Sequence, residues 1–259
     1  MRGNPVRKKL LQGGTALGQM AFEFFTPGLC QIMANAGAEF AILDTEHSGV
    51  GIDTVKSQVA YARGTGLVPM VRVTGTHYHL VAPMLDAGVM GIMVPMVETP
   101  EQAQKIAQWC RYRPHGVRGL AFAVGHDDYK GADPVAAMKA ANDRTLVIAL
   151  IETAKGIENV EAIMATPGID VGWMGHYDLT NSMGIDGQFD HPRYKAAVKR
   201  LVKACSKSGK AAGFLCGDVK TGRRYLNLGF RMLCYGTDIA VYQNALTAGI
   251  AGLRAGRKG

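Results

Sequence analysis

Short apolar runs recur along the chain with a spacing that predicts its architecture before any single residue is weighed. Thr15–Phe22, Phe40–Asp44, Val68–Val73, Gly91–Val97, Leu146–Ile151, Val171–Gly175, Ala211–Leu215 and Arg231–Tyr235 are rich in Val, Ile, Leu and Met. Most are nearly continuous in apolar character, which suits parallel strands buried on both faces better than half-exposed antiparallel strands that alternate. Helix-like stretches lie between them, at Pro27–Ala36, Ile52–Gly64, Thr76–Ala87, Pro100–Trp109, Gly156–Thr166, His191–Ser208 and Val219–Leu228. Several open with Thr, Pro or Asp and close with Gly.

Eight strands alternating with helices in 259 residues predict an α/β fold, a single-domain (β/α)8 TIM barrel. A doubly wound open sheet is the competitor. It lacks its fingerprint, because no Gly-x-Gly-x-x-Gly follows a strand and no P-loop pattern is present. One long interruption, Arg111 to Arg144, is polar and rich in Gly, His and Asp. It reads as a loop of the length that commonly carries function on a barrel.

Charge changes the picture little. The formal net charge is +8, but Arg2, Arg7, Lys8 and Lys9 stand at one end and Arg254, Arg257 and Lys258 at the other. The body between is nearly balanced, so about 1–10 and 252–259 read as basic tails of one domain over 1–259, and no nucleic-acid partner is expected. Five cysteines, Cys30, Cys110, Cys205, Cys216 and Cys234, are widely spaced without a Cys-x-x-Cys pair. They read as reduced core residues of a cytoplasmic protein. No run approaches the roughly 18 apolar residues of a membrane span, and the segment after Lys9 is too polar for a signal peptide.

Barrel chemistry sits at the carboxyl ends of the strands. Glu152 and Asp178 each follow an apolar run beside glycine or small residues. Half-buried acids are unfavourable unless paired or coordinated, and two such carboxylates can hold one hard divalent cation. Either residue alone can equally cap the next helix. A cation with two carboxylate ligands keeps open positions for water and substrate. That suits Mg²⁺ or Mn²⁺, with Co²⁺ as a substitute, better than a closed zinc cage.

The second run ends in Asp44-Thr-Glu-His47, and the third ends in Arg72. A buried arginine must meet an anion. That anion can be a substrate carboxylate, or Asp44 or Asp86 in a structural ion pair. His47 beside Asp44, which would orient its ring, forms a candidate general acid/base; alone it would be an ordinary loop histidine. Together these groups suit a 2-keto acid whose enolate is stabilised when a carbon–carbon bond breaks. No lysine stands at an inward strand end for a Schiff base, since Lys155 lies toward a helix start and Lys210 precedes its strand.

Several motifs in this order resemble the HpcH/HpaI family of class II pyruvate aldolases, a group that includes enzymes acting on 4-hydroxy-2-oxoheptanedioate and 2-dehydro-3-deoxyglucarate. The motifs are Leu43-Asp-Thr-Glu-His47, Val71-Arg-Val73, Leu85-Asp-Ala-Gly88, Val94-Pro-Met-Val97, Arg113-Pro-His-Gly-Val-Arg-Gly119, Ile151-Glu-Thr153 and Gly175-His-Tyr-Asp-Leu-Thr180. The resemblance implies an aldehyde-lyase that reversibly cleaves a 4-hydroxy-2-oxo acid to pyruvate, or a related keto acid, plus an aldehyde. It implies Glu152 and Asp178 as metal ligands, Arg72 on the keto acid, and His47 with Asp44 moving protons through water. It also implies trimers or a hexamer, with the last helix packed on a neighbouring subunit.

Two departures bear on the substrate-binding wall. Leu150 stands where diacid-cleaving members commonly have Gln, and His176-Tyr177 replaces Pro-Ala. Residues two apart on a strand share a face, so Leu150 should point to the same interior as Glu152. His176 reads as a second acid/base or as a loop histidine bonded to backbone, and Ala121–Asp133 also diverges from the family pattern. The alternatives are an acyl-CoA lyase like the citrate lyase β proteins, and a non-catalytic keto-acid-binding barrel.

Overall fold

Eight parallel strands pair in chain order and the first closes on the eighth in the computed structural model, which describes residues 1–255. The strands are β1 (Ala16–Ala21), β2 (Phe40–Asp44), β3 (Val68–Arg72), β4 (Gly91–Val94), β5 (Leu146–Ile151), β6 (Val171–Met174), β7 (Ala211–Cys216) and β8 (Met232–Thr237). The helices are α1 (Pro5–Leu11), α2 (Leu29–Asn35), α3 (Ile52–Tyr61), α4 (Tyr78–Ala87), α5 (Pro100–Trp109) and α6 (Pro134–Arg144), followed by α7 (Ala154–Glu158), α8 (Val160–Ala165), α9 (His176–Ser182), α10 (Pro192–Lys207), α11 (Val219–Asn227) and α12 (Asp238–Ala255). The predicted TIM barrel is the fold of this chain.

Two-sided burial explains the unbroken apolar runs. Met20, Phe40, Ile42, Met70, Ile148, Leu150 and Trp173 fill the barrel interior. Their strand neighbours Ala41, Leu43, Val71, Ala149 and Ile151 pack under the helices with Val55, Val59 and Leu201. Alternate residues thus enter two different cores, and neither face needs polar positions.

Three local readings are corrected. The first ten residues are not a solvated tail, because Asn4 caps α1 by accepting from the Arg7 N–H at 2.9 Å. Val6 and Leu10 are buried against the bottom of the barrel interior. The amide of Asn4 donates to Met90 O and Arg144 O, both at 2.9 Å, and Arg7 is 2.9 Å from Asp170. Lysines and arginines on one face of a short helix mask an apolar face beneath it.

Arg111–Arg144 is not loop throughout. Its second part is α6, capped by Asp133, whose carboxylate accepts from the Ala136 N–H at 2.8 Å, with Pro134 in the first turn. The third correction is α9, a short helix where a loop was expected. The last helix is present as α12, and of the predicted C-terminal tail 256–259 lies outside the described residues. No helix among the described residues is long and apolar enough to cross a membrane.

Candidate active site

Parallel register puts Asp44 and Arg72 side by side at the ends of β2 and β3. Arg72 Nε donates to Asp44 Oδ1 at 2.6 Å, and Nη1 lies 3.1 Å from Glu46 Oε2. The guanidinium carbon stands 5.5 Å from the Phe22 ring centroid. Asp44 is fully buried and Arg72 nearly so, so each meets the other's need for a counter-charge. The structural ion pair with Asp44 is therefore real, while Arg72 still lines the cleft and its Nη2 has no protein partner among the described residues.

The expected orientation of the His47 ring by Asp44 is not what the structure has. Asp44 Oδ2 accepts from the His47 backbone N–H at 2.9 Å, and the ring itself is more than half exposed. The carboxylate within reach of the ring is Glu46, with Oε2 3.8 Å from Nε2. The permanent charge and fixed fork of a guanidinium hold a buried carboxylate, which turns Asp44 inward to Arg72. Glu46 had been assigned no role by sequence, although it stands in the same acid-rich tetrapeptide. Burial raises its pKa, with Arg72 pulling in the opposite direction.

Glu152 follows β5 and is only 4% exposed. One carboxylate oxygen accepts from the Met96 N–H at 2.7 Å. Met96 holds a φ of 55°, a left-handed backbone unusual outside glycine, and this conformation accompanies its N–H on Glu152. Burial pushes Glu152 up to about 7, with Asp178 and Glu46 adding to the rise and the Met96 N–H and Arg72 opposing it. Helix capping does not explain the residue, because α7 is capped by Thr153, whose hydroxyl accepts from Gly156 N at 2.9 Å.

Asp178 sits in the first turn of α9 and makes no side-chain hydrogen bond among the described residues; α9 has no side-chain cap. Among the described residues no three His, Cys, Asp or Glu side chains converge as a cage. Two carboxylates with the remaining positions open fit a hard divalent cation, and Glu152, buried without a cationic partner, is the group that calls for one. Gly175 makes the arrangement sterically feasible. A Cβ there would lie 2.5 Å from Glu152 Cβ and 2.6 Å from Oε2.

The cleft holds about 330 Å³ and is lined by His47, Arg72, Leu150, Glu152, His176, Tyr177 and Asp178, all singled out from the sequence. Asp44 stands behind Arg72. Met20, Phe22, Met93, Trp173 and Leu215 also line it and were missed. Their signal was the barrel itself, since inward residues near strand ends face the mouth. Leu150 shares the cleft with Glu152, as their two-residue spacing predicts. The His176 ring makes no hydrogen bond to backbone among the described residues; it lies 4.5 Å from Tyr177, 4.8 Å from Phe214 and 5.3 Å from Phe189. Burial lowers its pKa to about 4, against a smaller opposing pull from Asp178, so the imidazole is neutral at pH 7.

Comparison with known proteins gives this constellation a family. Residues 22–245 match the HpcH/HpaI aldolase/citrate lyase model. The hydroxypyruvate/pyruvate aldolase of Roseobacter denitrificans is 34% identical, over 93% of each chain. The 5-keto-4-deoxy-D-glucarate aldolase of Klebsiella pneumoniae is 31% identical, over 83% of each. The crystal structure of an HpcH/HpaI aldolase from Desulfitobacterium hafniense superposes with a TM-score of 0.92 at 27% identity, covering 97% of each chain. The chain belongs to the HpcH/HpaI aldolase/citrate lyase family. Within it, this is an enzyme of the aldehyde-lyase type and not a bare ligand-binding barrel.

Proposed function

We propose that this enzyme is a divalent-cation-dependent aldolase that reversibly joins pyruvate, or a related 2-keto acid, to an aldehyde. The observation that carries the reading is Glu152, a buried carboxylate without a cationic partner, sharing one cleft with Asp178 and the open edge of Arg72. Glu152 and Asp178 would hold the cation, Mg²⁺ or Mn²⁺ by their oxygen donors. When bound, such a cation supplies positive charge at the keto-acid oxygens.

Arg72 presents Nη2 to the substrate carboxylate and keto oxygen, while Asp44 and Glu46 hold the remainder of the fork in place. His47, half in solvent beside Glu46, moves protons through water. In the condensation direction the methyl carbon of pyruvate gives up a proton and its electron pair adds to the aldehyde carbon. The aldehyde oxygen takes a proton, yielding a 4-hydroxy-2-oxo acid, and cleavage is the reverse.

Proton exchange on the methyl group of pyruvate tests the reading. Exchange should require Mg²⁺, Mn²⁺ or Co²⁺. Glu152→Ala should abolish it, while Arg72→Ala should weaken pyruvate binding with the cation still bound. Absence of exchange in the wild-type protein with all three cations would falsify the mechanism.

The assembly reading rests on α12. Val241, Tyr242, Leu246, Ile250 and Leu253 are exposed along it, and Asp238 is its one buried residue. Such a face fits against a second copy of this chain, in a trimer or hexamer. Five buried free cysteines accord with a reducing, cytoplasmic setting.

A further inference from the structure

We infer that the aldehyde handled by this site is uncharged and carries an apolar, preferentially aromatic group, and that aldehydes bearing a second carboxylate are disfavoured. The inference rests on the aldolase reading above and concerns the half of the substrate that reading leaves open.

Charge is the first argument. Among the described residues Arg72 is the one lysine or arginine lining the cleft, and it is already engaged by Asp44 and Glu46. Four carboxylates, those of Asp44, Glu46, Glu152 and Asp178, face or flank the site against this single guanidinium. A divalent cation still leaves the group net negative before the keto acid brings its own carboxylate. A second substrate carboxylate would find repulsion and no free donor fork. Lys155, the other basic residue near this end of β5, is paired with Glu98 at 3.2 Å and does not line the cleft.

Shape and polarity are the second. Phe22, Leu150, Trp173, Tyr177 and Leu215 form the wall around the polar floor. Trp173 lies across Gly213 of the neighbouring strand, in space that a Cβ at 213 would occupy. Tyr177 is 65% exposed, an aromatic face standing at the mouth with no other duty than its contacts to His176 and Phe189. His176 adds a ring packed 5.3 Å from Phe189 and 4.8 Å from Phe214. Apolar walls with a few oriented polar groups select by area and ring stacking.

The test is condensation of pyruvate, at saturating Mg²⁺, with benzaldehyde, glycolaldehyde and succinic semialdehyde. Benzaldehyde should exceed succinic semialdehyde in kcat/KM by about tenfold or more. Leu215→Arg, placing a cation on the apolar wall, should narrow that ratio at least several-fold, with a thermal melt reporting that the variant is folded. Equal or better use of succinic semialdehyde by the wild-type protein overturns the inference, as does pyruvate methyl exchange without benzaldehyde condensation. In both cases the aldolase reading survives. Failure of methyl exchange removes the aldolase reading and this inference with it.

Discussion

Arg72 and Asp44 occupy paired positions on adjacent parallel strands, and their 2.6 Å Nε–Oδ1 contact is sealed from solvent on the Asp44 side. The contact fixes which edge of the guanidinium is left open, the edge that the proposed function gives to the keto acid. Asp44→Ala should leave a buried arginine without its main counter-charge and lower stability by roughly 3 kcal/mol. The KM for the keto acid should rise and kcat/KM fall about 100-fold, equivalent to about 2.7 kcal/mol. Thermal melts and steady-state kinetics check the two effects separately.

Gly175→Ala isolates the space behind Glu152. The backbone φ of −88° is open to alanine, so the substitution acts through its crowding of Glu152 and not through backbone strain. The new methyl group would lie 2.5 Å from Glu152 Cβ and 2.6 Å from Oε2, shifting the end of β5 locally and the carboxylate with it. Mn²⁺ affinity, followed by electron paramagnetic resonance, should drop at least tenfold while the far-ultraviolet circular dichroism spectrum is retained.

Asp238 holds the loop after β1. Its carboxylate accepts from the backbone N–H groups of Phe22, Glu23 and Phe24 at 2.7–2.9 Å, and Phe22 in turn lies against Arg72. Asp238→Asn keeps the shape but weakens charge-assisted bonds, at a loss of about 1.5–3 kcal/mol. The expected kinetic signature is a higher KM for the keto acid with a smaller change in kcat, because Phe22 would no longer be held on the arginine.

His126 should give the protein an acid-sensitive step. Its Nε2 donates to Ala121 O at 2.7 Å, and Nδ1 is buried without a hydrogen-bond partner among the described residues. Burial lowers its pKa below 6.5, the Ala121 bond and Asp127 opposing and Arg118 and Arg144 assisting. Below pH 6.5 the unfolded chain therefore binds a proton that the folded one resists. Stability from this residue is complete above pH 6.5 and is lost as the pH falls toward the folded value. The drop in melting temperature between pH 7.5 and 5 should be smaller in His126→Gln than in the wild-type protein.

Leu246→Arg tests the face of α12. Light scattering coupled to size exclusion should show a shift from the oligomer toward monomer. A monomeric wild-type protein would end the assembly reading.

Sequence made the barrel legible because burial on both sides of a parallel sheet leaves unbroken apolar runs. It hid α1, whose two buried residues, Val6 and Leu10, stand among four basic ones in the first ten positions. It hid α6 because an alanine-rich helix following a polar loop carries little hydrophobic periodicity. At the site, strand ends identified Arg72, Glu152 and Asp178 as residues in need of partners. The choice among partners was not legible: Asp44 turned to Arg72, leaving Glu46 nearest His47, because one rotamer decides between two neighbouring acceptors. Trp173 and Leu215 went unnoticed because an apolar residue at a strand end looks the same whether it faces core or cleft.

The helix α1 closes the base of the barrel, and the interior above it is filled. Among the described residues the cleft therefore opens at the carboxyl ends of the strands and not through the barrel. In the proposed aldolase the keto acid would sit on the floor at Glu152 and Arg72, with the aldehyde between it and the mouth. That stacking predicts ordered turnover, the aldehyde arriving last in condensation and departing first in cleavage, and product inhibition in which pyruvate but not the aldehyde competes with the intact adduct checks it.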